Sequence, residues 1–287
     1  MICRAPAGVF SARVTVACRP SQSGSQPLTS MKTNSIEFDR GGTDRHAAYV
    51  DTTVADPMAT ARNVLLQRLR GKAIRIYEAG GGSLSPLPQE LLRNAEITVV
   101  DIAENQLREN HYATIKICGD IQLQQFPPDS FDLIVCHNVI EHLERPDRAI
   151  ANFFNALKPG GLVFIAAPNP QSISGLAARF TPHWFHVLFY RVVRGAKEAG
   201  KAGKAPFPVF YSPLVTPQRL IEFCRRLGYE VVHFNSFEGG HLLILTQRYP
   251  VLGRIFCGAV RVAELILRKN LRLGDFHVIF EKPSNAR

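Results

Sequence analysis

The chain has 287 residues, 46% of them hydrophobic, a composition typical of a folded protein with a sizeable core and not of a disordered chain. Its 34 basic and 24 acidic residues give a net charge of +10, and no apolar run approaches the roughly 18 residues that cross a bilayer. Six cysteines are scattered without C-x-x-C spacing, so neither a zinc site nor a disulfide framework is indicated. We therefore expect a cytoplasmic protein.

The positive charge is concentrated in the last third of the chain. Residues 181–287 contain 16 basic and 7 acidic residues, a net charge of +9, whereas residues 37–180 contain 14 and 17, a net charge of −3. This asymmetry indicates an anionic partner, which could be a phosphorylated or acidic substrate, a lipid surface or nucleic acid. The alternative is a solvated surface that is rich in arginine and has no partner.

The first residues lack the hydrophobic periodicity of a folded element. Residues 1–36 are rich in serine and arginine and contain no acidic residue, which predicts a disordered or transit-like tail. A start assigned too early is the alternative, with Met31 as the natural beginning. We expect residues 37–287 to form a single domain.

From residue 59 onward the chain alternates between helical and strand patterns. Apolar residues at helical spacing end at Gly71 and predict a first helix. Short runs rich in valine and isoleucine, without polar alternation, predict buried parallel strands at 73–79, 97–101, 113–118, 131–136 and 162–167. Helices at 103–110 and 147–157 lie between them. The alternation predicts an α/β fold with a doubly wound, Rossmann-like sheet.

The later elements are predicted from their end signals. Thr216 as N-cap, Pro217 in the first turn and Gly228 after the last turn predict a helix over 217–227. Strands are predicted at 229–234 and 276–282.

Three consecutive glycines, Gly80 to Gly82, follow Glu78 at the end of the first predicted strand. Ligands of doubly wound sheets bind at the carboxyl ends of the strands, so a bare backbone here predicts close approach to a ligand. Taken alone, such a turn is more often a loop that needs positive φ.

Two further carboxylates follow the next two strands. Asp101 ends the second strand, 23 residues after Glu78, close to the spacing at which an acidic side chain reaches ribose hydroxyls. Asp120 follows the third strand. Asp101 could instead cap the helix at 103–110, and Asp120 could be a turn residue. Taken together, the three carboxylates predict an extended nucleoside ligand.

Five motifs in order resemble those of class I S-adenosylmethionine-dependent methyltransferases, over residues 59–170. They are "YEAGGGS", "VVDIAENQL", "GDI", "FDLIVCHNVIEHL" and "LKPGGLVFIAAPN". The resemblance implies S-adenosylmethionine as the cofactor and a seven-stranded sheet whose last strand, 276–282, is antiparallel. It implies that the following residues bind the cofactor: Glu78, Ala79, Gly80, Gly81, Gly82, Asp101, Ile102, Asp120, Ile121, Cys136 and His137.

Within this set the resemblance implies different roles. Gly80 and Gly82 lie against the methionine portion, with Glu78 beneath it. Asp101 binds the ribose hydroxyls, and Asp120 and Ile121 contact the adenine.

One position departs from the family pattern. Leu84 stands where many members have a third glycine, and Ser83 is expected to cap the following helix.

A hydroxyl acceptor would need a general base, and His137 and His142 follow the fourth strand at the cofactor edge. Glu141 could orient His142, and the alternative for each histidine is a buried structural role. "NVIEHL" is similar to a segment of quinone-biosynthetic O-methyltransferases in which a carboxylate three positions before the Glu-His pair helps to hold a divalent ion. Asn138 occupies that position here, and because an amide is a poorer ligand we expect no essential metal.

Two long segments outside the resemblance, 171–215 and 236–272, are expected to form an acceptor lid or surface insertions. The first contains the only tryptophan and two alternative bases, His183 and His186. The second contains an amphipathic helical pattern at 250–270 with arginines seven residues apart, as in helices that lie on anionic membranes. An ordinary surface helix has the same pattern.

The sequence thus favours a methyltransferase acting on a small-molecule or lipid-like acceptor, on oxygen, with peripheral contact to an anionic membrane and no nucleic-acid partner. Two alternatives stay open. An NAD(P)-dependent oxidoreductase would share the fold, although "GGGSLS" lacks G-x-G-x-x-G spacing. A non-catalytic, membrane-associated protein could retain the fold.

Overall fold

The computed structural model describes residues 31–36, 50–54, 56–201, 206–210 and 212–284. The strands in these ranges are β1 (Met31–Ile36), β2 (Val50–Val54), β3 (Ile74–Ala79), β4 (Ala95–Asp101), β5 (Ile115–Cys118), β6 (Phe131–His137), β7 (Leu157–Pro168), β8 (Glu230–Glu238) and β9 (Leu273–Glu281). The α-helices are α1 (Pro57–Leu69), α2 (Gln89–Leu92), α3 (Glu104–Glu109), α4 (Pro146–Ala156), α5 (Ile173–Phe180), α6 (His183–Val192), α7 (Pro217–Arg226), α8 (Gly240–Arg248) and α9 (Pro250–Leu267).

All nine strands belong to one mixed sheet in the order β2-β1-β8-β9-β7-β6-β3-β4-β5. The five strands β3 to β7 pair in parallel, and β9 runs antiparallel to both of its neighbours, β7 and β8. The predicted seven-stranded sheet with an antiparallel last strand is therefore confirmed as β3 to β9.

Beyond the seven predicted strands, β1 and β2 extend the sheet as an antiparallel pair, with β1 against β8. The tail prediction covered residues 1–36. Residues 1–30 lie outside the described residues, whereas Met31–Ile36 is strand β1. In the described part of the chain, no helix is both long and apolar enough to cross a bilayer.

Both faces of the sheet are covered by apolar side chains. On one face, α1 buries Ala61, Leu65 and Leu69, which recur every four residues and therefore share one side of the helix. On the other face, α4 buries Ile150 and Phe153, and part of α7 packs in the same layer. A fully buried phenylalanine stabilises the fold by about 2 kcal/mol, so these two layers hold the sheet in place beneath its loops.

Two predictions need correction, and the helix start predicted at Thr216 is confirmed with a different role for its hydroxyl. Ser83 caps no helix, because the chain after the glycines runs through Pro86 and Pro88, and only the single turn α2 follows, with Pro88 in its N-cap position. Thr216 occupies the N-cap position of α7, but its hydroxyl donates to the Pro213 carbonyl (3.1 Å) instead of accepting from the helix. Residues 236–238, predicted to start an insertion, are the end of β8.

Candidate active site

The loops after β3 and β6 meet at the point where the strand order reverses. Strand β3 pairs in parallel with β4 on one side and with β6 on the other, so the chain winds away from it in both directions. This is the position at which doubly wound sheets bind ligands. A cavity there is lined by Glu78, Ala79, Gly80, Gly81, Leu84, Pro86, Val135 and His137.

The glycine loop is shaped by the chain's own packing. Gly80 and Gly82 have φ of +71° and +52°, which L side chains rarely adopt. A Cβ on Gly80 would lie 2.6 Å from both Val139 methyl groups, and one on Gly81 would lie 2.9 Å from the Cβ of Glu78. Neighbouring side chains therefore already require glycine at Gly80 and Gly81, and the approach of a cofactor to this loop stays a prediction.

Hydrogen bonds from α3 and its flanks fix the far end of this loop. Asp101 accepts from the amide of Gly82 through Oδ2 (3.0 Å) and from the amide of Ala103 through Oδ1 (2.8 Å). The buried Asn110 side chain donates to the Gly82 carbonyl at 2.7 Å. The backbone around Gly82 is therefore held from both sides before any ligand arrives.

Glu78 lies beneath the loop and is almost fully buried. Its carboxylate accepts from the hydroxyls of Ser85 and Tyr112, the latter at 2.6 Å. Burial raises the pKa of Glu78, and the two hydroxyl donors oppose that rise. Glu78 thus acts as an internal strut that joins the loop to the segment after α3.

The residues after β4 and β5 divide into exposed and buried ones. Ile102 is 77% exposed beside Asp101, so its apolar side chain is available at the site edge. Asp120 accepts from the backbone amide of Gln122 at 2.8 Å. Ile121 and Cys136, both predicted to bind the cofactor, have side chains buried in the core, so only their backbone atoms can face a ligand.

His137 ends β6 and faces a row of polar groups across the sheet. Its register partner on β7 is Ala166, which pairs with His277 on β9, and His277 pairs with Asn235 on β8. The rings of His137 and His277 are 6.5 Å apart between centroids. Burial lowers the pKa of His137 and brings that of His277 to about 3, so both rings are neutral at pH 7.

Glu141 and His142 form a 3₁₀ turn after β6 that contacts the segment 206–210. The Nδ1 atom of His142 lies 2.6 Å from the Pro208 carbonyl oxygen, and the Phe207 ring lies against the imidazole at 6.0 Å. The Phe210 amide donates to the Glu141 carbonyl at 3.0 Å. The first insertion therefore closes directly over this pair.

The charge state of this pair follows from its burial. Burial, with a smaller contribution from Asp275, raises the pKa of Glu141 to about 8, so its carboxyl is protonated at pH 7. Burial also lowers the pKa of His142, which is therefore neutral. Glu141 Oε1 lies 3.7 Å from His142 Nε2. The site thus offers an uncharged base beside a protonated acid.

The two alternative bases lie elsewhere. His183 and His186 are on α6, where Nε2 of His186 is 2.7 Å from the Thr181 hydroxyl. Of the four candidate histidines, His137 alone lines the cavity at the switch point.

The residues at the carboxyl edge fit S-adenosylmethionine by their chemistry. Each oxygen of Asp101 accepts one amide and retains a second lone pair, which a ribose hydroxyl can use. The exposed side chain of Ile102 offers an apolar surface for the adenine ring. The loop that Asp101 and Asn110 hold presents backbone without side chains.

Comparison with known proteins agrees with this geometry. A family model described as a methyltransferase domain matches residues 78–165, which run from Glu78 at the end of β3 to Ile165 in β7. The chain contains a class I S-adenosylmethionine-dependent methyltransferase domain. S-adenosylmethionine is the cofactor of this domain.

Relatives of the methyltransferase domain carry one recurring name. A ubiquinone biosynthesis O-methyltransferase from Idiomarina loihiensis is 32% identical over 109 residues, which cover 35% of this chain and 44% of the relative. One from Coxiella burnetii is 29% identical over 109 residues, covering 35% and 45%. The chain thus spans less than half the length of these curated relatives.

One solved structure adds support for the fold. A protein from Listeria monocytogenes that is assigned as an S-adenosylmethionine-dependent methyltransferase aligns with a TM-score of 0.50 and 11% identity, over 80% of this chain and 99% of its own. At that identity the alignment supports the fold alone.

Sequence reasoning missed the groups that position the loop. Ser85, Asn110 and Tyr112 hold Glu78 or the glycines, yet none belongs to a motif of the domain. Asn110 and Tyr112 lie at or just after the end of a predicted helix and Ser85 lies between the glycines and Pro86, positions where polar residues are common in turns. The row formed by His277 and Asn235 was also missed, because it depends on the register between β8 and β9.

Proposed function

We propose that this protein transfers a methyl group from S-adenosylmethionine to an oxygen atom of a small, lipid-like acceptor, with His142 as the general base. The family and its cofactor support the transfer. The names of the relatives from Idiomarina loihiensis and Coxiella burnetii support oxygen as the accepting atom.

The hydrogen bond between His142 and Pro208 carries the assignment of the base. A carbonyl oxygen can only accept, so Nδ1 of His142 bears the proton in this 2.6 Å contact. In a neutral imidazole the other nitrogen, Nε2, then has a free lone pair. Because burial lowers the pKa of His142, this lone pair is available at pH 7.

The mechanism follows from these states. When bound, S-adenosylmethionine supplies a methyl group whose bond to sulfur breaks as the acceptor oxygen bonds to its carbon. His142 Nε2 takes the hydroxyl proton during that step, and the Pro208 carbonyl holds the ring in the correct tautomer. Glu141, 3.7 Å away, supplies an oxygen toward the resulting imidazolium. Phe207 covers the ring and limits access of water.

The surroundings of the base support a lipid-like acceptor. Phe207 and Phe210 are each about half exposed, and both lie on the segment that contacts Glu141 and His142. Aromatic side chains at the entrance of a site favour ligands with apolar bodies.

Methyl transfer from labelled S-adenosylmethionine to phenols, quinols and lipid-linked sugars tests the proposal. We expect His142→Gln to lower kcat by about a hundredfold or more while cofactor binding, measured by titration calorimetry, stays unchanged. The matched control is His183→Gln, which removes a histidine from α6.

Two outcomes would contradict the assignment. Full activity of His142→Gln would exclude it as the base, and loss of activity in His137→Gln alone would transfer the role to that residue. Tight cofactor binding without turnover of any acceptor would favour the non-catalytic alternative.

A further inference from the structure

The long helix α9 has two apolar faces, and only one of them packs on the protein. Gly253 and Val260, seven residues apart, are buried on one side, where Gly253 lies against Thr246 of α8. On a wheel of about 100° per residue, Val251, Ile255, Val262 and Ile266 fall within about 60° of one another on another side. These four are 66%, 66%, 56% and 74% exposed.

The exposed stripe is extended and flanked by cations. Leu252 and Leu265 border it and are 57% and 78% exposed. Arg254 and Arg261 follow one edge of the stripe seven residues apart, and Arg268 is the C-cap residue at the end of the helix. Within the described residues, no acidic side chain forms an ion pair with any of these three arginines. Isolated exposed apolar residues are ordinary, but a continuous stripe of six is not.

The single acidic residue of α9 is turned away from the stripe. Glu264 accepts from the Arg272 side chain at 3.1 Å and from the Leu271 amide at 2.8 Å, so it is used within the protein. Residues 250–270 contain four basic residues and this one acid, a net charge of +3. The exposed side of α9 is therefore apolar in the middle and positively charged along its edge.

The helix lies at the edge of the sheet that carries the active site. Because β9 is antiparallel to β7, its first residues, just after α9, lie beside the end of β7. The Asn169 amide donates to the Gly274 carbonyl and the Ile173 amide donates to the Leu271 carbonyl, each at 2.7 Å. The C-terminal end of α9 therefore lies near the carboxyl end of β7.

We propose that α9 docks this protein on an anionic lipid bilayer, with the stripe from Val251 to Ile266 inserted among the acyl chains and the three arginines at the phosphates. Helices with one apolar face, a cationic border and no internal acid on that side bind in this manner. Arginine side chains bury their aliphatic stems while their guanidinium groups remain at the headgroups. The proposal concerns binding alone and does not depend on the acceptor's identity.

Vesicle flotation of the full chain tests the proposal. We expect binding to vesicles made of equal parts phosphatidylcholine and phosphatidylglycerol, little binding to pure phosphatidylcholine, and a decrease as salt is raised. The double variant Arg254→Glu with Arg261→Glu should bind about thirtyfold more weakly or worse, because each cation near the surface contributes about a factor of five. Val262→Asp with Ile266→Asp should also lose binding on the anionic vesicles.

A matched control carries the same change of charge at the opposite edge of the sheet. The double variant Arg70→Glu with Lys72→Glu, just after α1, should still bind anionic vesicles at least fivefold more tightly than phosphatidylcholine vesicles. Fivefold is the contribution expected of a single cation near the surface. All variants are first checked for S-adenosylmethionine binding, which confirms that they are folded.

Three results would overturn the proposal. The first is absence of binding by the unaltered protein, and the second is equal loss in the control and the α9 variants. The third is a dimer in light scattering that dissociates in the Val262→Asp, Ile266→Asp variant, since it would show that a second copy covers the stripe. Membrane binding without methyl transfer would leave the docking proposal supported and would count against the proposed function alone.

Discussion

The loops after β3 and β4 and the segments after β6 and β7 lie at the same edge of one sheet, yet their polar groups are organised differently. In the first region, Asp101, Asn110 and Tyr112 bond directly to the glycine loop or to its strut. In the second, and in the neighbouring strands β8 and β9, the described residues give no hydrogen-bond partner to Glu141 Oε2, His277 Nδ1 or the side-chain amide of Asn235.

Under the proposed function the first region is the cofactor half of the site and the second region is its acceptor half. The cofactor half is organised by short-range bonds between consecutive loops, so its geometry is set before a ligand binds. The acceptor half holds buried polar atoms whose hydrogen-bonding capacity is not used within the described chain, which is costly unless a ligand or water completes it. Substitutions in the first half should therefore affect stability and cofactor affinity. Substitutions in the second half should affect the pH dependence of stability.

The largest expected effect breaks the cofactor half at Gly80. Gly80→Ala places a Cβ against Val139 at a φ of +71°, so we expect a loss of about 3 kcal/mol in the free energy of unfolding. Urea denaturation measures it. Gly71→Ala is the control, because its φ is +78° and no atom lies within 4 Å, so only the backbone cost of about 1 kcal/mol applies. Equal losses would show that the contact with Val139 is unimportant.

The next effect separates cofactor affinity from stability. In Asp101→Asn an amide replaces one of the two accepting oxygens, so we expect the Kd for S-adenosylmethionine to rise about thirtyfold, or about 2 kcal/mol. Titration calorimetry measures it. Asp132→Asn also weakens a carboxylate that accepts from a backbone amide, that of Arg75 at 2.8 Å, but at the opposite edge of the sheet. A similar rise in that variant would argue against a direct role for Asp101.

In the acceptor half, the buried Glu141 should make stability depend on pH. Burial raises the pKa of Glu141 from 4.5 to about 8, so the folded chain holds this proton to higher pH than the unfolded chain does. The resulting stability is complete below pH 4.5 and is lost as pH rises through 8, with a slope of at most about 1.4 kcal/mol per pH unit.

Urea denaturation over this range compares the unaltered chain with Glu141→Gln, in which the slope should be flatter. Glu104→Gln, which alters an exposed partner of Arg108, should keep the original slope. Identical slopes in all three proteins would show that Glu141 is ionised at neutral pH.

The smallest effect concerns the strut beneath the loop. Tyr112→Phe removes one of the two hydroxyl donors to Glu78, while Ser85 remains, so we expect a loss of about 1 kcal/mol in the free energy of unfolding. Tyr249→Phe, at the start of α9, is the control and should be neutral. A neutral result for Tyr112→Phe would show that Ser85 alone sets the position of Glu78.

Much of the cofactor half could be predicted from the sequence, because its signals are local. The ends of β3, β4 and β6 fall within about two residues of their predicted positions, since buried parallel strands are continuous apolar runs. Glu78, Asp101 and Asp120 come from three neighbouring strand ends, as expected.

What the sequence did not reveal depended on which side of the sheet a residue faces or on distant pairing. Ile121 and Cys136 stay predicted cofactor contacts, but their motifs do not say that the side chains lie in the core and leave only backbone atoms for a ligand. Ser83 was expected to cap a helix that the two following prolines shorten to one turn. Strands β1 and β2 carry no strong pattern, because a pair at the edge of a sheet depends on its partner, here β8.

The contact between Gly80 and Val139 has a consequence for the spacing of the two halves. Val139 precedes the 3₁₀ turn that carries Glu141 and His142, and the His142 amide donates to the Val139 carbonyl at 2.9 Å. The glycine loop and the turn that carries His142 are thus separated by the width of one valine side chain. Packed methyl groups resist compression, so under the proposed function the Val139 side chain would set how closely the methyl donor and the acceptor approach each other.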